Sequence, residues 1–152
     1  MDNEMGNPII HDPNSPLPQG WRWVSLGEVC DEAKTCDPRL SPNAPFRYID
    51  ISSINNASKR IIETRIILGK DAPSRARQLV KANDILVATT RPNLNAVAFV
   101  PAELDGDICS TGFCVLRPTA IIDATFLFFL VQAHDFVDTL SGEVRGMLYP
   151  AV

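Results

Sequence analysis

DILVATTRPNLNAVAFVPAELDGDICSTGFCVLRP, residues Asp84 to Pro118, is the stretch whose reading decides the fold. It holds three short apolar runs, Ile85 to Ala88, Ala96 to Val100 and Phe113 to Leu116, separated by segments rich in Pro, Asn, Asp, Gly and Ser. Apolar runs of that length between turn formers read as strands buried on both faces, with a buried helix as the alternative that periodicity does not exclude. A sheet core is therefore expected. The first connection, Thr89 to Asn95, is a polar loop with side chains suited to base edges or phosphates.

Working outward, 152 residues fit one domain, which buries about two thirds of its unfolded surface. The composition, 45% hydrophobic and 21% charged, is that of a globular chain. The longest apolar run, Phe126 to Val131, is too short to span a bilayer, so no membrane partner is expected. Residues 1 to 16 lack the basic region and apolar core of a secretory signal. A cytoplasmic protein is the expectation. The cysteines are spaced unlike zinc or redox motifs, since five residues separate Cys30 from Cys36 and four separate Cys109 from Cys114. Free, partly buried thiols follow, with no metal site.

The net charge of −4 is wrong for a nucleic-acid binder, but its distribution is uneven. Residues 1 to 45 carry 3 basic and 7 acidic side chains, residues 46 to 102 carry 9 and 4, and residues 103 to 152 carry 2 and 7. Such segregation places a positive face on an acidic protein, or merely a solvated charged surface.

Residues 1 to 15 read as a flexible leader, and residues 16 to 152 as a single domain. Trp21 and Trp23 fall on one face of an extended segment. Ser25 and Glu28 match a capping box and predict a short helix over Leu26 to Ala33, stopped at Cys36-Asp37-Pro38. Phe46 to Ile51 alternates as a strand does, and Arg60 to Leu68, closed by Gly69, is a second strand or hairpin arm. Between them Ser52 to Ser58 is a polar loop. Ser74 fits the N-cap of a short helix carrying Arg75 and Arg77, whose free amides and guanidinium groups would make a phosphate site. A connector with two exposed arginines is the alternative. Asp123 fits the cap of a helix over Ala124 to Leu140, with Phe126, Leu130, Ala133, Val137 and Leu140 as its buried stripe and Gly142 as its stop. The expected fold is α+β: a twisted, mostly antiparallel β-sheet with one longer packed helix and short peripheral helices.

No phosphate-binding glycine loop, catalytic carboxylate pair or nucleophile elbow is present. Cys114 and His134 can be imagined as a nucleophile and base, but Cys114 lies in an apolar run where a thiolate is disfavoured. No catalytic, cofactor-binding or metal residue is assigned. Nucleic-acid binding fits better, because Asn pairs with adenine, Arg with guanine, and Ser or Thr with several edges or phosphates. The candidate contacts are Asn55 and Asn56 with the following Lys59 and Arg60, then Ser74, Arg75 and Arg77, then Thr90, Arg91, Asn93 and Asn95.

Three motifs in order, Leu17-Pro18-Gln19-Gly20-Trp21-Arg22-Trp23-Val24-Ser25-Leu26-Gly27-Glu28-Val29, Asn83-Asp84-Ile85-Leu86-Val87 and Cys109-Ser110-Thr111-Gly112-Phe113-Cys114-Val115-Leu116-Arg117-Pro118, look like a known family. With the closing Gly146-Met147-Leu148-Tyr149-Pro150, the chain resembles the target recognition domain of a type I restriction-modification specificity subunit over roughly residues 16 to 152. The resemblance implies a noncatalytic reader of one half of a bipartite double-stranded DNA target. S-adenosylmethionine, ATP and Mg would be bound by partner methyltransferase and restriction subunits, not by this chain. The pattern expects a long spacer helix after the domain, and here the chain stops before it, as an excised domain or a truncated subunit would. The recognition module of a single-chain restriction-methylation enzyme and a protein-interaction domain without DNA readout are the alternatives. No residue-level reading code carries over from the resemblance.

Overall fold

The computed structural model describes residue 14 and residues 16 to 143. The rest of the expected leader and the closing Gly146 to Pro150 segment lie outside the described residues. Among the described residues, ten strands form two four-stranded sheets and a two-stranded hairpin, with three α-helices.

The first sheet comes from the opening stretch. β7 (Ile85–Ala88), β8 (Val97–Phe99) and β10 (Phe113–Pro118) realise the three apolar runs, and β1 (Cys30–Asp31) completes the order β1-β10-β7-β8. β10 runs antiparallel to β7 with Cys114 opposite Val87. All four residues of β7 are buried because both of its faces are covered. Ile85 and Val87 pack with Leu127 and Val131 on the helix side. Leu86 and Ala88 pack with Ile49, Val80 and Cys109 on the other. A continuous Ile-Leu-Val-Ala run is what such a doubly covered strand requires. The neighbouring Cys114 is exposed on its strand, contrary to the buried run expected over Phe113 to Leu116.

The second sheet, β5-β2-β9-β6, comprises β2 (Pro45–Ile49), β5 (Arg65–Leu68), β6 (Ala76–Leu79) and β9 (Ile108–Ser110). Its pairs are antiparallel except β2 with β9. The molecule is therefore α+β and mostly antiparallel, as its sequence suggests, but layered as helices, sheet and second sheet where one sheet was expected. The hairpin of β3 (Ile54–Asn55) and β4 (Arg60–Ile61) crosses beside β8.

Three helices differ from expectation. α1 covers only Leu26–Val29 before the chain enters β1, although the Ser25 amide does donate to the Glu28 carboxylate at 3.5 Å. Residues 74 to 80 form no helix. Ala76–Leu79 is β6, drawn into the sheet by pairing with β9 and by Gln78, whose side-chain amide donates to Ser110 O and Phe113 O at 2.9 Å each. Tertiary pairing overrides the local preference of Arg-Ala-Arg-Gln for helix. The helix expected over Ala124 to Leu140 is two, α2 (Ala124–Leu130) and α3 (His134–Glu143), with Asp123 Oδ1 capping Phe126 N–H at 2.7 Å as foreseen. Leu130 and Leu140 of the expected stripe, with Phe136, pack against the core, but the fully buried residues of this segment are Leu127 and Val131, while Phe126 is 49% exposed. Gly142 lies within α3 and does not end it.

Two local features fix the frame. Asp84, 1% exposed, heads β7 and accepts two 2.8 Å hydrogen bonds from Arg117 of β10, while its Oδ2 also accepts from Lys81 N–H at 2.8 Å. This bond raises the affinity of the Arg117 guanidinium for its proton. Gly69 is held where a Cβ would stand 2.2 Å from both Pro38 O and Ser41 O, so only glycine fits.

Candidate nucleic-acid interface

Four connections converge at one end of the two sheets, and backbone hydrogen bonds tie them together. The β9–β10 turn is central. Gly112 O accepts from Thr89 N–H at 2.9 Å, from Thr90 N–H at 3.4 Å and from Thr89 Oγ1 at 3.1 Å. Thr111 N–H donates to Arg75 O at 2.9 Å, which fastens the connection before β6 to the same turn. Gly112 N–H donates to Ser110 Oγ at 3.0 Å. A Cβ on Gly112 would lie 3.1 Å from Ile51 Cδ1 and 3.2 Å from Thr90 Oγ1, so the turn after β2 closes against the other loops with little spare room.

The resulting rim exposes Ser52, Ser74, Arg75, Arg91, Asn93 and Thr111. Among the described residues, no carboxylate pairs with Arg75 or Arg91. Arg91 and Asn95 both adopt left-handed backbone conformations, φ 50° and 54°, on either side of a 3-10 turn at Pro92–Leu94. Two non-glycine residues in that region are strained, and the strain is retained in a loop that exposes donors to solvent.

The sequence candidates thus separate into groups. Ser74, Arg75, Thr90, Arg91 and Asn93 are brought together on the rim. Arg77 is turned away: it lies 3.5 Å from the Asp37 carboxylate and donates to Ala76 O at 2.8 Å. The helix N-terminus expected at Ser74 is absent, and Arg75 lies exposed in the turn that enters β6. Asn55 is committed to its hairpin turn, its Oδ1 accepting from Ala57 and Ser58 N–H at 3.0 and 2.9 Å. Asn56 is exposed at the tip of that turn, and Arg60 is exposed beyond it.

Lys59 and Asn95 join each other rather than solvent. Lys59 Nζ donates to Asn95 O, and Asn95 Nδ2 donates to Gln132 O at 3.0 Å, in the break between α2 and α3. Burial lowers the Lys59 pKa from its ordinary value. Asn95 Oδ1 is buried without a partner. These residues hold the hairpin and the helical break against the rim loop. Thr111 and Ser52 are rim members that the candidate set did not include; the motif around Thr111 was visible, but only the fold puts it beside Arg75.

No nucleophile is organised in this region. Burial among apolar side chains pushes the Cys109 thiol up to about 12, and His134 pairs with Asp138 at 2.7 Å on the exposed face of α3. Among the described residues, no group of three or more His, Cys, Asp or Glu could hold a metal ion. None of their helices is long and apolar enough to cross a membrane.

A second surface lies across the first sheet. Leu17, Pro18, Trp21, Trp23, Leu26, Phe126, Leu130, Phe136 and Leu140 line an apolar groove of about 550 Å³. Trp21 is 63% exposed there.

No family model matches the chain. It is 27% identical over 135 residues to the specificity subunit of type I restriction enzyme HindI from Haemophilus influenzae, covering 87% of this chain and 29% of that one. Its fold matches the HsdS subunit from Thermoanaerobacter tengcongensis with a TM-score of 0.81 at 46% identity, over 91% of this chain and 36% of that chain. A chain from a structure of complex assembly and conformational transition in the type I R-M system matches at TM-score 0.84 and 46% identity, over the same shares. The chain therefore resembles one segment of type I specificity subunits in both sequence and fold, and spans about a third of their length.

Proposed function

We propose that this chain is a noncatalytic reader of one half of a bipartite double-stranded DNA target, working in a type I restriction-modification system. The observation that carries the reading is the rim: Arg75 and Arg91, without carboxylate partners, flank Thr90, Asn93 and Thr111 on loops that backbone hydrogen bonds hold in place. The likeness to specificity subunits supports it. Guanidinium groups neutralise phosphates and so make affinity depend on salt, while Asn, Thr and Ser supply donors and acceptors for base edges. Residues 46 to 102 carry 9 basic and 4 acidic side chains, and Arg75 and Arg91 come from this positive third of an acidic chain.

Methyltransferase subunits binding S-adenosylmethionine and an ATP-driven restriction subunit are the partners this reading calls for, and the cytoplasm is the compartment. The chemistry belongs to those subunits. The test is selection of duplexes from a random-sequence library by the full chain. One short enriched half-site is expected, and a folded chain that enriches no sequence contradicts the reading.

A second reading has an observation of its own. The apolar groove with Trp21 at its lip suits a protein partner better than DNA. If Trp21→Ser abolished association with a methyltransferase subunit while charge reversal at Arg75, Arg77 and Arg91 left DNA affinity unchanged, the interaction reading would stand alone.

A further inference from the structure

Two exposed apolar side chains at this end of the sheets are left unexplained by phosphate and hydrogen-bond chemistry, Leu94 in the Pro92–Leu94 turn, 46% exposed, and the more exposed Ile62 between β4 and β5. Ile62 is 63% exposed, yet its backbone is firmly placed. Its N–H donates to Ser53 O at 2.9 Å, and Glu63 N–H donates to the same carbonyl at 3.4 Å. Ser53 is buried, and its Oγ accepts from Asp50 N–H at 3.0 Å. The intervening Ile51 reaches the Gly112 turn that holds Thr89 and Thr90. The segment bearing Ile62 is thus bonded to the turn after β2, which packs against the Gly112 turn to which the Arg75 and Arg91 loops are bonded, and it enters β5 at that same end, with Arg65 opposite Tyr48.

An isoleucine left in water at a fixed site gains by covering its apolar surface, and its β-branch leaves few rotamers to lose on contact. On the floor of the major groove the thymine C5-methyl is the one apolar group that a base edge presents. We propose that Ile62 is a specificity-determining residue that rests against a thymine methyl of the target half-site, while the rim arginines hold the flanking phosphates. This rests on the DNA-reading function above and adds to it a particular base preference. Ile66 makes a natural control. It is 69% exposed, but stands opposite Arg47 in the β5–β2 register, outside the loop that Ser53 anchors.

Deoxyuridine tests the contact because it differs from thymine only by that methyl. With the selected half-site in hand, each thymine is replaced in turn and affinity is measured by fluorescence anisotropy for the full wild-type chain, Ile62→Ala and Ile66→Ala. At one position the wild type loses about fourfold, the worth of one buried methyl-sized group. Ile62→Ala binds the thymine duplex more weakly and shows no further loss with deoxyuridine there, whereas Ile66→Ala behaves as wild type. Unchanged circular dichroism and melting confirm that the substituted chains fold. A half-site without A·T pairs, no methyl-sensitive position in the wild type, a loss that persists in Ile62→Ala or one that disappears in Ile66→Ala each overturns the inference. Those outcomes all leave an enriched site in place, so they differ from failure of DNA reading itself, in which no site is enriched.

Discussion

At one end of the sheets the rim is polar and made by loops, while across the first sheet the groove is apolar and made by α2, α3 and the segment before α1. The rim's shape is set by backbone bonds, chiefly those to Gly112 O and Arg75 O, so its side chains are free to vary without changing its frame. The groove's shape is set by side chains. Trp21, Phe126 and Leu130 are the surface and the packing at once. A reading surface benefits from the first arrangement, since specificity then changes by side-chain replacement alone. A surface of the second kind is suited to staying covered.

The largest expected effect strikes both regions together. Asp84 and Arg117 tie the start of β7 to β10, strands that support the rim at one end and the helices on one face. Arg117→Met should leave the Asp84 carboxylate buried without its partner and lower stability by about 3 to 5 kcal/mol, read from urea unfolding. A loss below about 1 kcal/mol would mean that the two surfaces do not depend on this common tie.

The next separates them. Arg75→Ala with Arg91→Ala should make the dependence of log K on log salt shallower by about 2 and leave thermal unfolding unchanged, since each lost phosphate contact removes about one counterion. Equal slopes for the wild type and the double variant would remove both arginines from the interface. Gly112→Ala sharpens the comparison further. The methyl displaces Ile51 and Thr90 by a few tenths of an ångström, so stability should fall by about 1 to 3 kcal/mol and DNA affinity should fall with it. Affinity unaltered in a destabilised variant would show that the rim tolerates a shift of its loops. Smallest is Trp21→Ser, expected to change stability by no more than about 0.5 kcal/mol and DNA affinity not at all. A clear fall in DNA affinity would extend the interface into the groove.

The same contrast governs how much was legible in the sequence. β7 was readable because a strand covered on both faces must be apolar throughout, and Asp123 was readable because an N-cap is a local bond. β9 was not, since Ile108-Cys109-Ser110 lies among turn formers and becomes a strand by sitting between β2 and β6. The break between α2 and α3 carries no proline or glycine; Asn95, distant in sequence, meets the carbonyl of Gln132 there. At the site, composition pointed to Arg75, Thr90 and Arg91 but gave no means of separating them from Arg77, Lys59 and Asn55, whose partners only the fold supplies. Thr111 and Ile62 required the loops to be brought together.

Amide chemical shifts of the isotopically labelled chain, recorded while a duplex bearing the selected half-site is added, test the division of surfaces most directly. Shifts are expected to concentrate at Ser52, Ile62, Arg75, Thr90, Arg91 and Thr111, with Trp21, Phe126 and Leu140 unmoved. Shifts centred on the groove, or a saturated complex with none at the rim, would contradict the account.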